Sequence, residues 1–191
     1  MKKVAALLFM VVVLCGSLSA FDITSYPPSV EGGNIIIEAG AGIDLMSSSY
    51  WKGQIPPIFV DADYLLPKIP LSLGLGVAFS THKFDYNAWN IDITQTHLPI
   101  AFRAMWHWGF NTPRLDFYTG FTAGYQLVFL GGKDYEDYKD NSFIDSYLKW
   151  GEGFYYNIAL GLRYYFGEAK KFGLKAEVGY PVQKLGLSIK L

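Results

Sequence analysis

Reactive thiols and soft metal ligands are scarce in this sequence. Its 191 residues include one cysteine and three histidines. The cysteine, Cys15, falls in an N-terminal segment that we predict to be cleaved, so the mature chain would have neither a disulfide nor thiol chemistry. The histidines His82, His97 and His107 follow no ligand spacing, and the sequence predicts no metal site and no cofactor.

Long apolar runs and an excess of one charge are also missing. After residue 20, no stretch approaches the ~18 uncharged apolar residues that a membrane helix needs. Lys and Arg number 16 against 17 Asp and Glu, and no basic cluster indicates a nucleic-acid partner. The chain is nevertheless 51% hydrophobic, with 20 Gly, 14 Tyr and 14 Phe. Together with a mean hydropathy of only +0.16, this composition is typical of alternating strands.

Residues 1–20 have the features of a secretory signal peptide. Two lysines at the start are followed by an apolar run over 4–14 and then by small residues. This order predicts cleavage by a signal peptidase after Ser19 or Ala20. The next segment, 21–33, contains a Pro-Pro and a Gly-Gly pair, and we expect it to form an irregular periplasmic lead-in.

From residue 34 to residue 191, apolar and polar side chains alternate in eight segments, and this range is predicted to form one barrel domain. In the clearest segment, 71–80, large apolar residues occupy every second position, and Ser, Gly and Ala occupy the positions between. Such a period of two predicts strands with two different faces. Pro99 lies inside one segment, where we expect a bulge or bend. The predicted strands are 34–46, 58–66, 71–80, 91–108, 115–129, 154–166, 172–180 and 184–191.

Eight alternating strands fit two kinds of barrel, which differ in the face that points inward. A soluble ligand-binding barrel buries its large apolar side chains, whereas a membrane barrel turns them outward. Here the more polar face consists mostly of small residues, which suit a narrow interior, and it lacks the dense Lys and Glu of a water-facing surface. Aromatic residues at strand ends, such as Trp106 and Trp108, fit girdles at the membrane interfaces. We therefore predict a monomeric, all-β, eight-stranded antiparallel up-and-down transmembrane β-barrel surrounded by membrane lipids. Both termini would lie in the periplasm, and the longer loops outside.

Three stretches carry a resemblance to a known family. Residues 98–103 (LPIAFR) and 118–125 (YTGFTAGY) resemble central strands of the small eight-stranded outer-membrane barrels, the OmpX/OmpW-like group. The last strand resembles the insertion signal that the outer-membrane assembly machinery reads, although the group usually ends in Phe. The resemblance implies the outer membrane of a diderm bacterium, and either a structural role or restricted passage of small, apolar solutes. The residues of the predicted insertion signal are Lys184, Gly186, Ile189 and Leu191.

Acidic and basic side chains are nearly balanced on the face predicted to line the lumen. Unpaired charges in a narrow interior are costly, so we expect a mutually paired plug rather than an ion path. Closure of the barrel would bring Glu38 opposite Lys184 or Lys190 across the seam. The residues of this predicted network are Glu38, Asp44, Asp61, Asp63, Arg103, Asp116, Arg163, Lys175, Glu177, Lys184 and Lys190.

Two alternative functions remain open from the sequence. The long hydrophilic loop Leu130–Gly153 could act as the binding surface of an adhesin-like protein, with an external ligand or host partner that the sequence does not identify. Some small outer-membrane barrels are lipid-modifying enzymes with a Ser/His/acid set, and Ser80 and His82 share one strand face. No third residue completes a recognisable set, so we predict no catalytic residues and no enzymatic activity.

Overall fold

The computed structural model describes residues 21–22, 25–45, 51–84, 92–137, 148–149 and 151–191. The predicted signal peptide lies outside the described residues. Among those that are described, no helix is both long enough and apolar enough to cross a membrane. Apart from a single 3-10 turn at Tyr135–Asp137, the named elements are strands: β1 (Phe21–Asp22), β2 (Ile35–Asp44), β3 (Trp51–Leu65), β4 (Leu71–Phe84), β5 (Thr94–Phe110), β6 (Leu115–Gly131), β7 (Gly153–Phe166), β8 (Phe172–Tyr180) and β9 (Val182–Lys190).

Strands β2 to β9 form a closed barrel in which each strand is antiparallel to the next along the chain. The last strand closes the ring by pairing with the first, from Ile36 opposite Lys190 to Asp44 opposite Val182. Strand β1 is a two-residue addition that pairs with the end of β5. The predicted fold, a closed eight-stranded up-and-down barrel, is confirmed.

Two local predictions are wrong. Strand β3 begins at Trp51 rather than at residue 58, because two register shifts between Gly53 and Ile58 let it continue through a Pro-Pro pair. No bulge occurs at Pro99, where the register runs unchanged to both neighbouring strands. The one irregularity is a gap in the pairing of β5 with β4 at this position. A gap is expected there because proline has no N–H donor.

The two faces of the barrel have the distribution expected in lipid. Large apolar side chains point outward, for example Phe102 with 74% of its surface exposed and Leu185 with 68%. Charged side chains point inward, for example Glu38 at 1% and Arg163 at 0%. A soluble protein buries the opposite set of residues. This arrangement is that of a membrane barrel.

Small apolar clusters lie near the two ends of the barrel. At the end that carries the lead-in, Val30, Ile36, Leu65 and Tyr165 pack together beside Tyr26. We call this the N-terminal end. At the opposite end, which we call the loop end, Trp51, Ile93 and Leu148 form a second cluster. The charged interior and the functional site lie between these clusters.

Candidate functional site

A connected set of buried ion pairs, which we call the central network, fills the middle of the barrel. Its members are far apart in sequence but share the inner face of the strands. The network comprises Glu38, Asp61, Asp63, Arg103, Asp116, Arg163, Lys175, Glu177 and Lys184.

Arg163 on β7 joins three carboxylates from three other strands. Its Nε donates to Glu38 Oε1 at 2.7 Å, and its Nη1 donates to Asp116 Oδ2 at 2.8 Å. Its Nη2 lies 3.2 Å from Asp63 Oδ2. The guanidinium also lies 4.1 Å from the centre of the Tyr118 ring. A planar fork of donors suits this position because it can serve several carboxylates at once.

Arg103 on β5 holds the neighbouring layer of acids. Its Nε donates to Asp63 Oδ1 at 3.0 Å. Its Nη1 lies 2.9 Å from Asp61 Oδ2, although without the alignment of a hydrogen bond. Glu38 and Glu177 lie farther from its Nη2, at 3.7 Å each. Arg103 and Arg163 therefore share Glu38 and Asp63, so the network is continuous across the lumen.

Two lysines complete the network on the side of β8 and β9. Lys175 Nζ contacts Glu38 at 2.6 Å, Asp61 at 3.0 Å and Glu177 at 3.1 Å. Lys184 Nζ donates to both oxygens of Asp61, at 2.9 and 3.2 Å, and lies 4.7 Å from the centre of the Phe59 ring. Each buried acid thus has at least one cationic partner, as burial of charge in a protein interior requires.

His107 extends the network toward the N-terminal end. Its Nδ1 lies 2.8 Å from Asp116 Oδ1, and its Nε2 lies 3.0 Å from Ser72 Oγ. The network contains five carboxylates against four Arg and Lys side chains, and His107 gives one of these acids, Asp116, a further polar partner. The sequence did not single out this role, because the imidazole's partners lie on β4 and β6 and the predicted strands gave no register.

Nine of the eleven residues predicted for the lumen charges lie in the central network, and two do not. Asp44 is partly exposed near the loop end, 3.9 Å from His82 Nε2. Lys190 lies near the N-terminal end, where its Nζ donates to the carbonyl of Ser29 at 2.5 Å.

The predicted pairing of Glu38 with Lys184 or Lys190 is wrong. The stagger of the barrel places Ser188 opposite Glu38 and gives Lys184 to Asp61.

The four residues of the predicted insertion signal lie on or beside β9. Lys184 and Gly186 face the interior, whereas Ile189 and Leu191 are 40% and 65% exposed on the outer face. Leu191 exchanges backbone hydrogen bonds with Ile35 across the seam of the barrel. Recognition by the assembly machinery stays a prediction.

A cavity of about 150 Å³ lies between the central network and the loop end. Lys184 and Phe59 line it on the side of the network, and His97 and Gln126 line it nearer the loops. Phe154 and Tyr156 also line it, although both are exposed on the outer face, at 75% and 40%. The cavity therefore reaches from the interior into the barrel wall. An apolar cavity of this order can hold a molecule the size of benzene.

Among the described residues, the wall beside this cavity is incomplete, and we call the gap the side notch. Strand β7 pairs with β8 only from Ile158, opposite Tyr180, toward the N-terminal end. Residues 153–157 extend beyond the Pro181 connection between β8 and β9, and among the described strands none pairs with them on that side. Pro57 and Pro99 line the cavity as well, and each removes a backbone donor from its own strand.

Two histidines that showed no ligand pattern in the sequence meet near the cavity. The rings of His82 and His97 have centroids 4.8 Å apart, and both side chains are buried. They are diagonal neighbours on the inner face, because Ser80 pairs with His97 and His82 with Gln95. Only the register of β4 against β5 reveals this contact. In the part of the chain that the structure describes, no group of three or more His, Cys, Asp or Glu is arranged to hold a metal ion.

The suspected Ser/His pair is not assembled for catalysis. Ser80 and His82 both face the interior. No hydrogen bond joins their side chains within the described residues, and the acid nearest His82 is Asp44 at 3.9 Å. A nucleophile and its base need to be within hydrogen-bond reach. Residues 138–147 and 150 of the loop predicted as an adhesin surface, Leu130–Gly153, lie outside the described residues.

Comparison with known proteins gives a likeness of fold. No family model and no curated protein matches the chain. The outer membrane protein OprG from Pseudomonas aeruginosa matches with a TM-score of 0.57 and 15% identity, covering 86% of this chain and 99% of OprG. Ail, the attachment invasion locus protein of Yersinia pestis, matches with a TM-score of 0.48 and 12% identity, covering 84% of this chain and 99% of Ail. The likeness to OprG confirms, at the level of the fold, the resemblance to small eight-stranded outer-membrane barrels of the OmpX/OmpW-like group.

Proposed function

We propose that this protein is an outer-membrane barrel that takes up small apolar solutes at its loop end and releases them sideways into the bilayer. The observation that carries the proposal is the cavity, which lies on the loop side of a charge-filled lumen and borders the side notch. A barrel with a purely structural role would need neither feature.

The two faces of the barrel support the membrane part of the proposal. Lipid solvates an apolar outer face, and closure of the barrel pairs the backbone of neighbouring strands along most of their length. The fold shared with OprG supports the outer membrane as the location. The loop end would then face outward, and the N-terminal end, covered by the lead-in, would face the periplasm.

The central network makes direct passage along the lumen unfavourable. Arg103 and Arg163 are fully buried together with their carboxylate partners. An ion or an apolar solute would have to separate these pairs and leave buried charges without partners, at a cost of several kcal/mol. The apolar cluster around Val30 and Tyr165 lies beyond the network. We therefore expect negligible ion conductance.

The side notch offers the alternative route. Apolar residues line its edges on the outer face, including Phe154, Tyr156 and Tyr180. A solute that leaves the cavity between them would move directly into hydrocarbon, so its apolar surface would stay out of water. This route avoids the charged surface of a lipopolysaccharide leaflet, where apolar surface is poorly solvated.

Filling the cavity tests this route. Ala78 lines the cavity, whereas its neighbour Val77 points to lipid with 40% of its surface exposed. Ala78→Trp should block the cavity, and Val77→Trp places the same ring outside as a matched control. The measurement is stopped-flow fluorescence of naphthalene entering vesicles with a lipopolysaccharide outer leaflet.

Wild-type protein and Val77→Trp should both accelerate uptake over protein-free vesicles, and Ala78→Trp should reduce the rate to that of protein-free vesicles. Planar-bilayer conductance should stay at baseline for all three. Equal uptake by wild type and Ala78→Trp, or by wild type and protein-free vesicles, would refute the proposal and leave a structural role.

A further inference from the structure

One buried nitrogen atom beside the cavity, Nε2 of His97, has no hydrogen-bond partner among the described residues. His97 is 6% exposed, and its Nε2 makes no hydrogen bond to any described residue. The same side chain lines the cavity. A buried polar atom without a partner costs free energy, which a ligand that satisfies it would recover.

The neighbouring amide determines what this atom can bind. Gln126 Nε2 donates to the carbonyl of Gly151 at 2.9 Å, which fixes the orientation of the amide. The same nitrogen lies 3.3 Å from His97 Nδ1, so Nδ1 must accept. In the neutral imidazole the proton is then on Nε2. His97 Nε2 is therefore a hydrogen-bond donor in need of an acceptor.

Other polar groups around the cavity favour the same kind of ligand. Lys184 lines it and brings an ammonium group whose bonds to Asp61 use two of its three protons. Asp44, the carboxylate on the cavity wall, lies 3.9 Å from His82 Nε2 and is partly exposed. His97 and Lys184 thus place donors on the inner side of the cavity, whereas the part near Phe154 and Tyr156 is apolar.

We infer that the cavity selects small amphiphiles that carry a carboxylate head, with the head at His97 and Lys184 and the apolar body toward the side notch. This inference rests on the proposed function and names the substrate class within it. A charged acceptor at a buried donor forms one of the stronger hydrogen bonds in proteins.

Binding of three probes of similar size tests the inference: benzoate, benzylamine and toluene. Dissociation constants would be measured by ligand-observed NMR on the protein in lipid nanodiscs, with empty nanodiscs subtracted. We expect benzoate to bind at least roughly tenfold more tightly than toluene, and benzylamine to bind more weakly than both. His97→Phe should remove the advantage of benzoate over toluene. Thr96→Phe, on the outer face of the same strand, is the matched control.

A second variant tests the donor role without deleting the histidine. In Gln126→Glu the new carboxylate would accept a hydrogen bond from His97 Nδ1–H, so Nε2 of the neutral ring would become an acceptor. The preference should then shift from benzoate toward benzylamine, a result that mere loss of folding cannot give. Gel migration of the folded barrel checks both variants.

The outcomes separate this inference from the proposed function. If toluene binds and Ala78→Trp abolishes its binding, but benzoate has no advantage or His97→Phe does not change it, the carboxylate inference is wrong and the proposed route stands. If toluene does not bind, or binds equally to Ala78→Trp, the proposed function fails as well.

Discussion

Replacement of Arg163 by Met tests the energetic role of the central network. The substitution keeps much of the side-chain volume but removes the charge that joins Glu38, Asp63 and Asp116 at 2.7, 3.2 and 2.8 Å. All four side chains are inaccessible to solvent. Removal of one partner from a buried ion pair typically costs about 3–5 kcal/mol, because the other charge stays buried without compensation.

We expect Arg163→Met to lower the free energy of unfolding by about 3–5 kcal/mol, near the upper part of that range because three acids lose a partner. The assay is equilibrium unfolding in lipid vesicles with guanidinium chloride, followed by tryptophan fluorescence. Arg114→Met is the matched control, because Arg114 is exposed in the turn before β6. It should change the unfolding free energy by no more than about 0.5 kcal/mol.

A double variant refines this test. Glu38→Gln removes one of the three uncompensated charges, and Lys175 keeps Asp61 and Glu177 as partners. The two substitutions should therefore be non-additive, with a coupling of at least about 1 kcal/mol. A loss below about 1 kcal/mol for Arg163→Met, or strict additivity in the double variant, would refute the view that the network is a mutually dependent plug.

Three further predictions address the lead-in, the outer face and the last strand. Tyr26 donates to the carbonyls of Leu66 and Leu71 at 3.1 and 2.8 Å, and burial raises its pKa to about 12. Its stabilising effect should be complete below pH ~10 and disappear as pH rises toward 12. The stability difference between wild type and Tyr26→Phe should shrink over that interval, and a constant difference would contradict this. Phe102→Arg, on the lipid face, should cost roughly 2–4 kcal/mol in vesicle unfolding, whereas no loss would argue for water outside the barrel. Leu191→Phe should speed insertion by purified assembly machinery, and an unchanged rate would show that Leu191 already suffices.

The sequence predicted the fold because the signal of a strand is local. A period of two in segments such as 71–80 identifies the two faces of a strand without knowledge of its neighbours. The start of β3 was missed for the same reason, since the residues before Ile58 do not alternate and contain two prolines. Their strand structure depends on pairing with β4 across two register shifts, which is tertiary information.

The sequence predicted which residues line the site, but it did not predict which of them contact one another. Alternation placed Glu38 and Arg163 on the inner face, yet they are separated by 125 residues, and their contact depends on the stagger of the closed barrel. The contact of His82 with His97 likewise requires the register of β4 against β5. The side notch follows from the difference in length between β7 and β8, and no single segment shows it.

The central claim is that a small apolar solute occupies the cavity beside the side notch, and anomalous diffraction tests it most directly. Crystals of the protein would be soaked with bromobenzene, and the bromine located from its anomalous signal. The proposal predicts a peak among Phe59, Ala78 and Tyr156, which line the cavity, and its loss in Ala78→Trp. A peak among the charges of the central network, or no peak in the cavity, would contradict it.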